Sequence, residues 1–175
     1  MVTDTRPPLR IFLGHGAAGS SATMRPWAEG LQRRGFDATA IDLPKRRAED
    51  AVPALLKQAP PGPDVVVGGH SYGGRVASLA AAEHPYAGLL LLSYPLHRPG
   101  HPEQSRTDHW PSIACQTLVL SGEADPFAQI DRLRTAMPLL PNAQLVTYPR
   151  VRHGLGPVLE DALDRVVEFL VELGR

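Results

Sequence analysis

The sequence predicts an α/β fold in which helices cover a single parallel sheet. Short apolar runs alternate along the chain with segments of helical periodicity, and Gly, Pro or Asp residues bound the runs. This alternation is typical of parallel strands joined by crossover helices. A length of 175 residues is most simply one compact domain, so we expect residues 1–175 to form a single unit.

The first crossover unit is expected close to the N-terminus. The apolar run Leu9–Leu13 predicts the first strand, and the Gly-rich loop Gly14–Gly19 follows it. A helical pattern over Thr23–Arg34 then leads to a second strand at Ala38–Asp42. A strand, a helix and a second strand in this order indicate a parallel pair.

The third and fourth strands are expected in the middle of the chain. Prolines end a helix at Arg47–Gln58 before the third strand, Asp64–Gly68, whose three consecutive valines suit burial on both faces of a sheet. The segment Gly74–His84 is rich in Ala and predicts a helix that ends at Pro85. The fourth strand follows at Gly88–Ser93.

The last part of the chain contains the one sizeable insertion. Residues 94–111 include four prolines, which predicts an irregular stretch. Strands are expected at Gln116–Leu120 and Gln144–Tyr148, with a helix at Phe127–Met137 between them. The segment 159–173 places apolar residues at helical spacing among acidic ones, which predicts an amphipathic helix packed on the sheet.

The composition excludes several classes of partner. Lys plus Arg equals Asp plus Glu at 18 each, so no net charge attracts nucleic acid or an anionic membrane surface. The single cysteine, Cys115, supports neither a disulfide framework nor a cysteine-based zinc site. We therefore expect no nucleic-acid partner, and one free thiol favours a reducing compartment.

The apolar segments bear on cellular location. Residues 1–16 carry an acidic residue and two prolines ahead of a short apolar run, unlike the basic and then apolar layout of a signal peptide. The longest aliphatic run, Leu89–Leu92, is far shorter than the roughly 20 residues that span a bilayer. We expect a cytoplasmic protein with no membrane span. The sequence sets no expectation for the oligomeric state.

A candidate nucleophile lies between the third strand and the next helix. Residues 69–73 have the G-x-S-x-G pattern, in the strand-to-helix context that this motif requires. The flanking glycines let the chain pass closely through a strained turn that holds Ser71 above the sheet. We interpret Ser71 as a nucleophile; the alternative is an ordinary Gly-rich turn that happens to carry a serine.

A serine hydroxyl needs a base to accept its proton, and the chain offers seven histidines. His153 follows the sixth strand, so its loop opens at the same carboxyl edge of the sheet as Ser71. We interpret His153 as the base, with a solvated loop histidine as the alternative. His70 adjoins Ser71 on a tight turn and is expected to pack, and His15 is expected to be structural.

The third member of such a site is a carboxylate that orients the histidine. Asp125 follows the fifth strand and therefore also lies at the carboxyl edge. An aspartate before Pro126 is equally typical of a helix N-cap, which is the alternative for Asp125. If Asp125 only caps the helix, Glu123 in the same loop is the substitute acid.

Two backbone N–H groups are expected to bind a developing oxyanion. The residue after the nucleophile, Tyr72, supplies the first, and Ala17 in the loop after the first strand supplies the second. A phosphate-binding role is the rival interpretation of that loop. The loop lacks both the G-x-G-x-x-G spacing and the Lys-Ser/Thr ending of a nucleotide-binding loop.

The chain order Ser71, Asp125, His153, the early His-Gly loop and the sequence G-H-S-x-G-G resemble the α/β-hydrolase family over nearly the whole chain. The resemblance implies a nucleophile at Ser71, an orienting acid at Asp125 and a base at His153. It also implies that Ala17 and Tyr72 donate to the oxyanion.

The resemblance extends to architecture. It implies a three-layer α/β-hydrolase fold, reduced here to a minimal sheet of six parallel strands that lacks the leading hairpin common in the family. Because residues 94–111 are too few for a large cap, we expect a shallow, open pocket. Residues 89–111 and 122–127 look more narrowly like the small dienelactone-hydrolase-like, testis-expressed hydrolase-like group.

These observations predict a serine hydrolase of the carboxylesterase or thioesterase type. It would cleave a small-molecule ester or thioester, with a small or extended acyl group, through an acyl-enzyme on Ser71 and without a metal or organic cofactor. Two alternatives remain: an interaction module with an idle triad, and a different reaction at Ser71 such as peracid formation or lyase chemistry.

Two groups of side chains are candidates for the pocket. Residues that would line it, or equally belong to the core, are Trp27, Tyr72, Tyr94, Leu96, Trp110 and Phe127. Residues that would favour an anionic substrate are Arg98, Arg106, His97, His101 and His109. Because the three histidines are uncharged near neutral pH, the sequence alone does not predict that preference.

Overall fold

The computed structural model describes residues 7–175 and contains one sheet of six strands. The strands are β1 (Arg10–Gly14), β2 (Asp37–Ile41), β3 (Gly62–His70), β4 (Tyr86–Leu92), β5 (Gln116–Gly122) and β6 (Ala143–Tyr148). Their order is β2-β1-β3-β4-β5-β6, and each strand runs parallel to its neighbours. The predicted six-stranded parallel sheet is confirmed. Residues 1–6 lie outside the described residues. They belong to the expected single domain and to the N-terminal segment whose sequence is unlike that of a signal peptide.

Helices of the described chain cover both faces of this sheet. They are α1 (Ser21–Arg33), α2 (Ala48–Gln58), α3 (Tyr72–Glu83), α4 (Ile130–Ala136) and α5 (Leu159–Leu173). Helices α1 and α5 pack on one face, and α2, α3 and α4 pack on the other. Alternation along β3 sends Val65 and Val67 to one layer and Val66 to the opposite layer, and all three are fully buried. The expected burial of this strand on both faces is confirmed.

The expected elements are present, with shifted ends, and the helix after β5 differs most. The sequence predicts that it begins at Phe127, whereas α4 begins at Ile130. The N–H of Phe127 donates to a carboxylate oxygen of Asp125 (2.8 Å), and its carbonyl accepts from the N–H of His97 (3.0 Å). Because these contacts hold Phe127 in a turn, the predicted helix start is wrong.

The stretch 94–111 is irregular, as predicted, and packs on the body of the protein. Its side chains Tyr94, Leu96 and Trp110 are buried in the layer that contains α3. The Tyr94 hydroxyl donates to the backbone carbonyl of Arg106 (2.6 Å), which ties the two ends of the stretch together.

None of the helices within residues 7–175 has both the length and the apolar character that crossing a bilayer requires.

Candidate active site

Ser71 occupies a one-residue turn between β3 and α3. Its backbone has φ 49° and ψ −112°, a conformation that costs a non-glycine residue roughly 1–3 kcal/mol. The turn fits because two neighbours lack side chains: a Cβ on Gly69 or Gly73 would overlap the backbone of Gly14 at the end of β1. The strain and the close approach hold the Ser71 side chain at the carboxyl edge of the sheet.

A chain of hydrogen bonds links Ser71, His153 and Asp125. The Oγ of Ser71 lies 2.8 Å from Nε2 of His153, and Nδ1 of His153 lies 2.8 Å from Oδ2 and 3.0 Å from Oδ1 of Asp125. A carboxylate only accepts hydrogen bonds, so Nδ1 carries the imidazole proton. Nε2 is therefore free to accept the proton of the Ser71 hydroxyl. The structure thus brings together the three residues that the sequence singled out.

Asp125 holds the histidine and caps a turn, whereas the N-cap of α4 is Gln129, so the helix N-cap interpretation of Asp125 is wrong. Its side chain is 0% exposed, and Oδ1 accepts from the N–H of Phe127 (2.8 Å) as well as from His153. The alternative acid Glu123 points elsewhere: its Oε1 accepts from Thr147 (2.7 Å) and Arg134 (3.4 Å). Asp125, and not Glu123, is thus the carboxylate that contacts His153.

Neighbouring side chains fix the position of the His153 ring. The loop before it packs directly on Gly122, where a Cβ would overlap the carbonyl oxygens of residues 151 and 152. The ring of Phe127 stacks on the imidazole, with centroids 4.2 Å apart, and the ring of His70 lies 5.2 Å away. Burial lowers the pKa of His70 to about 4. His70 therefore stays neutral at neutral pH and packs beside the site, as its position in the turn indicates.

The loop after β1 places a second backbone donor next to the serine. Ala17 and Tyr72 line the same cavity as Ser71. Within residues 7–175, the N–H groups of Ala17 and Tyr72 have no recorded hydrogen-bond acceptor. His15 fixes this loop: its Nδ1–H donates to the carbonyl of Gly16 (2.8 Å), and its Nε2 accepts from a backbone N–H in the loop after β2 (2.9 Å). Ala17, Tyr72 and Ser71 thus lie on the wall of one cavity.

A cavity of about 660 Å³ opens in front of Ser71. Tyr72 and Phe127 line it, as the sequence suggested. The other four aromatic and aliphatic candidates do not line it, because they are buried in the core: Trp27, Tyr94, Leu96 and Trp110. Two of the six candidates thus line the cavity, and the other four belong to the core.

Two of the three histidines considered for anion binding, His97 and His109, have other surroundings. His97 is buried, with Nδ1 near the carbonyl of Arg98 (3.0 Å) and Nε2 accepting from the N–H of Gln129 (3.0 Å). His109 lies 2.7 Å from the hydroxyl of Ser78, and burial lowers its pKa to about 4. His97 and His109 therefore hold the irregular stretch in place.

Arginines are the site residues that sequence reasoning only partly identified. Arg98 and Arg106 line the cavity, and three further arginines join them: Arg46, Arg47 and Arg75. Arg75 had a usable signal, because a residue four positions after the nucleophile lies on the same side of a helix. Arg46 and Arg47 precede α2, and only the tertiary fold brings that loop to the cavity.

Metal binding has no candidate centre in residues 7–175. No group of three or more His, Cys, Asp or Glu side chains in this part of the chain is placed to hold an ion. The single thiol, Cys115, is partly buried, and burial raises its pKa to about 11.

Comparison with known proteins identifies the fold. A model of the alpha/beta hydrolase domain family matches residues 9–165. A thermophilic esterase from Thermogutta terrifontis is 20% identical with a TM-score of 0.76, over 98% of this chain and 92% of that one. A monoacylglycerol lipase from Paleococcus ferrophilus is 16% identical (TM-score 0.78; 95% and 96% covered), and Est1E from Butyrivibrio proteoclasticus is 19% identical (0.77; 98% and 91%). No curated protein matches the chain.

Proposed function

The chain belongs to the alpha/beta hydrolase domain family, and from that premise we propose that it is a serine hydrolase of the carboxylesterase or thioesterase type. One observation carries the proposal: the hydrogen bonds from Ser71 to His153 and from His153 to Asp125, each 2.8 Å at its shortest. Acyl transfer through a serine requires a nucleophile, a base and an orienting acid that are linked by hydrogen bonds in that order.

In the proposed first half-reaction, Oγ of Ser71 attacks the carbonyl carbon of the substrate while its proton passes to Nε2 of His153. The electron pair of the carbonyl bond moves to oxygen, and the oxyanion accepts hydrogen bonds from the N–H groups of Ala17 and Tyr72. The tetrahedral species then collapses, the bond to the leaving oxygen or sulfur breaks, and that atom takes the proton from His153. An acyl group stays on Ser71.

In the second half-reaction, water replaces the leaving group and follows the same route. His153 takes a proton from the water, the hydroxide attacks the acyl carbon, and Ser71 leaves with the proton returned by His153. Asp125 steadies the imidazolium in both halves because its carboxylate faces Nδ1. The proposed cycle uses only protein groups and water, so it needs neither a metal nor an organic cofactor.

The proposal also covers the finer assignments. We place residues 1–175 in one catalytic domain in the cytoplasm, acting on a small-molecule ester or thioester with a small or extended acyl group. The sequence of residues 89–111 and 122–127 supports membership of the dienelactone-hydrolase-like group. The short stretch at 94–111, which leaves the cavity open, supports small or extended acyl groups over long lipids.

The test combines covalent labelling with turnover. Purified wild type, Ser71→Ala and Ser112→Ala are treated with a fluorophosphonate probe and assayed with p-nitrophenyl esters from acetate upward. Ser112 is exposed and does not line the cavity, so its variant controls for the loss of a serine. We expect labelling and short-ester turnover in wild type and Ser112→Ala, and neither in Ser71→Ala. A folded wild type that shows neither would overturn the proposal in favour of an interaction module.

A further inference from the structure

The cavity in front of Ser71 concentrates positive charge in a chain that is neutral overall. Five of its lining side chains are arginines, and they come from three separate segments: Arg46, Arg47, Arg75, Arg98 and Arg106. The whole sequence balances 18 basic against 18 acidic residues. The clustering is therefore a property of this cavity, not of the surface as a whole.

Among the described residues that line the cavity, Glu49 alone is acidic, and it does not balance the arginines. Glu49 lies 2.7 Å from Arg75 and 3.9 Å from Arg47. Within residues 7–175, no carboxylate lies within ion-pair distance of Arg98 or Arg106. Their recorded contacts are long and neutral: Arg98 to the Gln104 amide oxygen and Arg106 to a backbone carbonyl, each at 3.5 Å.

Arg106 is the least solvated of the unpaired arginines. It is partly buried, and burial, together with the nearby charge of Arg75, lowers the pKa of its guanidinium below the usual range. Arginine nonetheless stays charged near neutral pH, so the repulsion between these like charges persists while the cavity is empty. An anion placed among them would relieve the repulsion and accept charge-assisted hydrogen bonds.

We propose that this arginine-lined cavity selects esters or thioesters that carry a second, anionic group, a carboxylate or a phosphate, held by Arg75, Arg98 and Arg106 while the carbonyl lies at Ser71. The inference rests on the proposed hydrolase function. Arg75 lies one helical turn after the nucleophile, since its backbone N–H donates to the carbonyl of Ser71 (3.0 Å). The anionic group therefore binds within the same cavity as the scissile carbonyl, and guanidinium forks suit either oxyanion.

Paired substrates test the preference on both sides of the scissile bond. On the acyl side, the mono-p-nitrophenyl ester of adipic acid is compared with its neutral methyl ester. On the leaving-group side, 4-acetoxybenzoate is compared with its methyl ester. Rates with Ser71→Ala are subtracted as background. We expect kcat/KM to favour the acidic member of at least one pair by about 10- to 100-fold, the effect of one hydrogen bond to a charged group. Adipate and inorganic phosphate, added as competitors, distinguish carboxylate from phosphate recognition.

Variants connect the preference to the cavity. Arg106→Gln should reduce the acidic-to-neutral ratio about tenfold or more. Arg98→Gln gives a second variant if the first does not fold, because Arg98 is exposed. Arg33→Gln is the matched control: it lies in the last turn of α1, on the opposite side of the sheet from α3, and should keep the wild-type ratio.

Three results would overturn the inference. Equal kcat/KM for both members of both pairs, in a wild type that labels at Ser71, removes the anion preference while the hydrolase function stands. An unchanged ratio in both cavity variants removes the arginines as its cause. A wild type that neither labels nor hydrolyses any ester removes the hydrolase function, and this inference with it.

Discussion

Replacing Asp125 by asparagine changes one hydrogen bond, the one to Nδ1 of His153, and almost nothing else. The amide has the shape of the carboxylate, and its oxygen still accepts from the N–H of Phe127, which is 2.8 Å from Oδ1. The amide nitrogen then faces Nδ1 of His153, which must give up its proton to accept a hydrogen bond. The proton moves to Nε2, and His153 no longer accepts from Ser71.

The rate loss follows from the charge that forms during catalysis. When Ser71 gives up its proton, an imidazolium forms 2.8 Å from the buried Asp125 carboxylate. Opposite charges with centres roughly 4 Å apart attract by about 4 kcal/mol at an effective dielectric constant of roughly 20. Asparagine removes that attraction, and each 1.4 kcal/mol corresponds to about one decade in rate. We therefore expect kcat to fall about 10³-fold, and further because of the unfavourable tautomer.

Steady-state turnover of p-nitrophenyl acetate by wild type, Asp125→Asn and Glu123→Gln checks this estimate. Glu123 lies in the same loop but bonds Thr147 and Arg134, so Glu123→Gln should keep kcat within about twofold. Thermal denaturation confirms that each variant folds. The reasoning is refuted if Asp125→Asn keeps more than about a tenth of the wild-type kcat. Equal losses in the two variants would reassign the acid.

Three further predictions concern pH, packing and ring stacking. Burial lowers the pKa of His109 from 6.5 to about 4, so the unfolded chain takes up this proton at a higher pH than the folded protein does. The free energy of unfolding therefore falls as the pH drops from 6.5 towards 4. Urea denaturation at both pH values should show a smaller fall in His109→Gln than in wild type, and an equal fall would contradict the assignment. Gly73→Ala should lower the free energy of unfolding by about 1–3 kcal/mol, because the added Cβ meets the Gly14 backbone. Gly154→Ala has open space around the added Cβ, so in the same denaturation assay its free energy of unfolding should stay within about 0.5 kcal/mol of the wild-type value. Phe127→Ala removes the ring stacked on His153 and should lower kcat/KM roughly tenfold, against no change if the stacking does not position the imidazole.

The fold followed from the sequence because its signals are local. Apolar runs bounded by turn residues mark strands, and the valines at 65–67 announce a strand buried on both sides. The start of α4 did not follow, because the contact that stops the helix comes from a residue distant in sequence, His97. The carbonyl of Phe127 accepts from the N–H of His97, and no local pattern encodes this bond.

The residues of the candidate site also fall into those that the sequence predicted and those that it did not. Ser71, Asp125 and His153 each follow a strand, so their common edge was predictable from the topology of a parallel sheet. The arginines that line the cavity were predicted only in part, because they come from a loop, a helix and an irregular stretch whose relative positions depend on packing. Side chains such as Tyr94 could be assigned to pocket or core only once that packing was known.

The strand order explains why the parts of the site meet at β3. The chain builds outwards from β1 to β2, returns to β3 on the other side of β1, and then continues through β4, β5 and β6. The order therefore reverses between β1 and β3, where the loops that leave their carboxyl ends separate and open a crevice. Ala17 lies in the loop after β1 and Tyr72 directly follows the turn after β3, so the two donors proposed for the oxyanion flank this crevice. Placing the serine after β2 or β6, at an edge of the sheet, would leave it without a loop on one side.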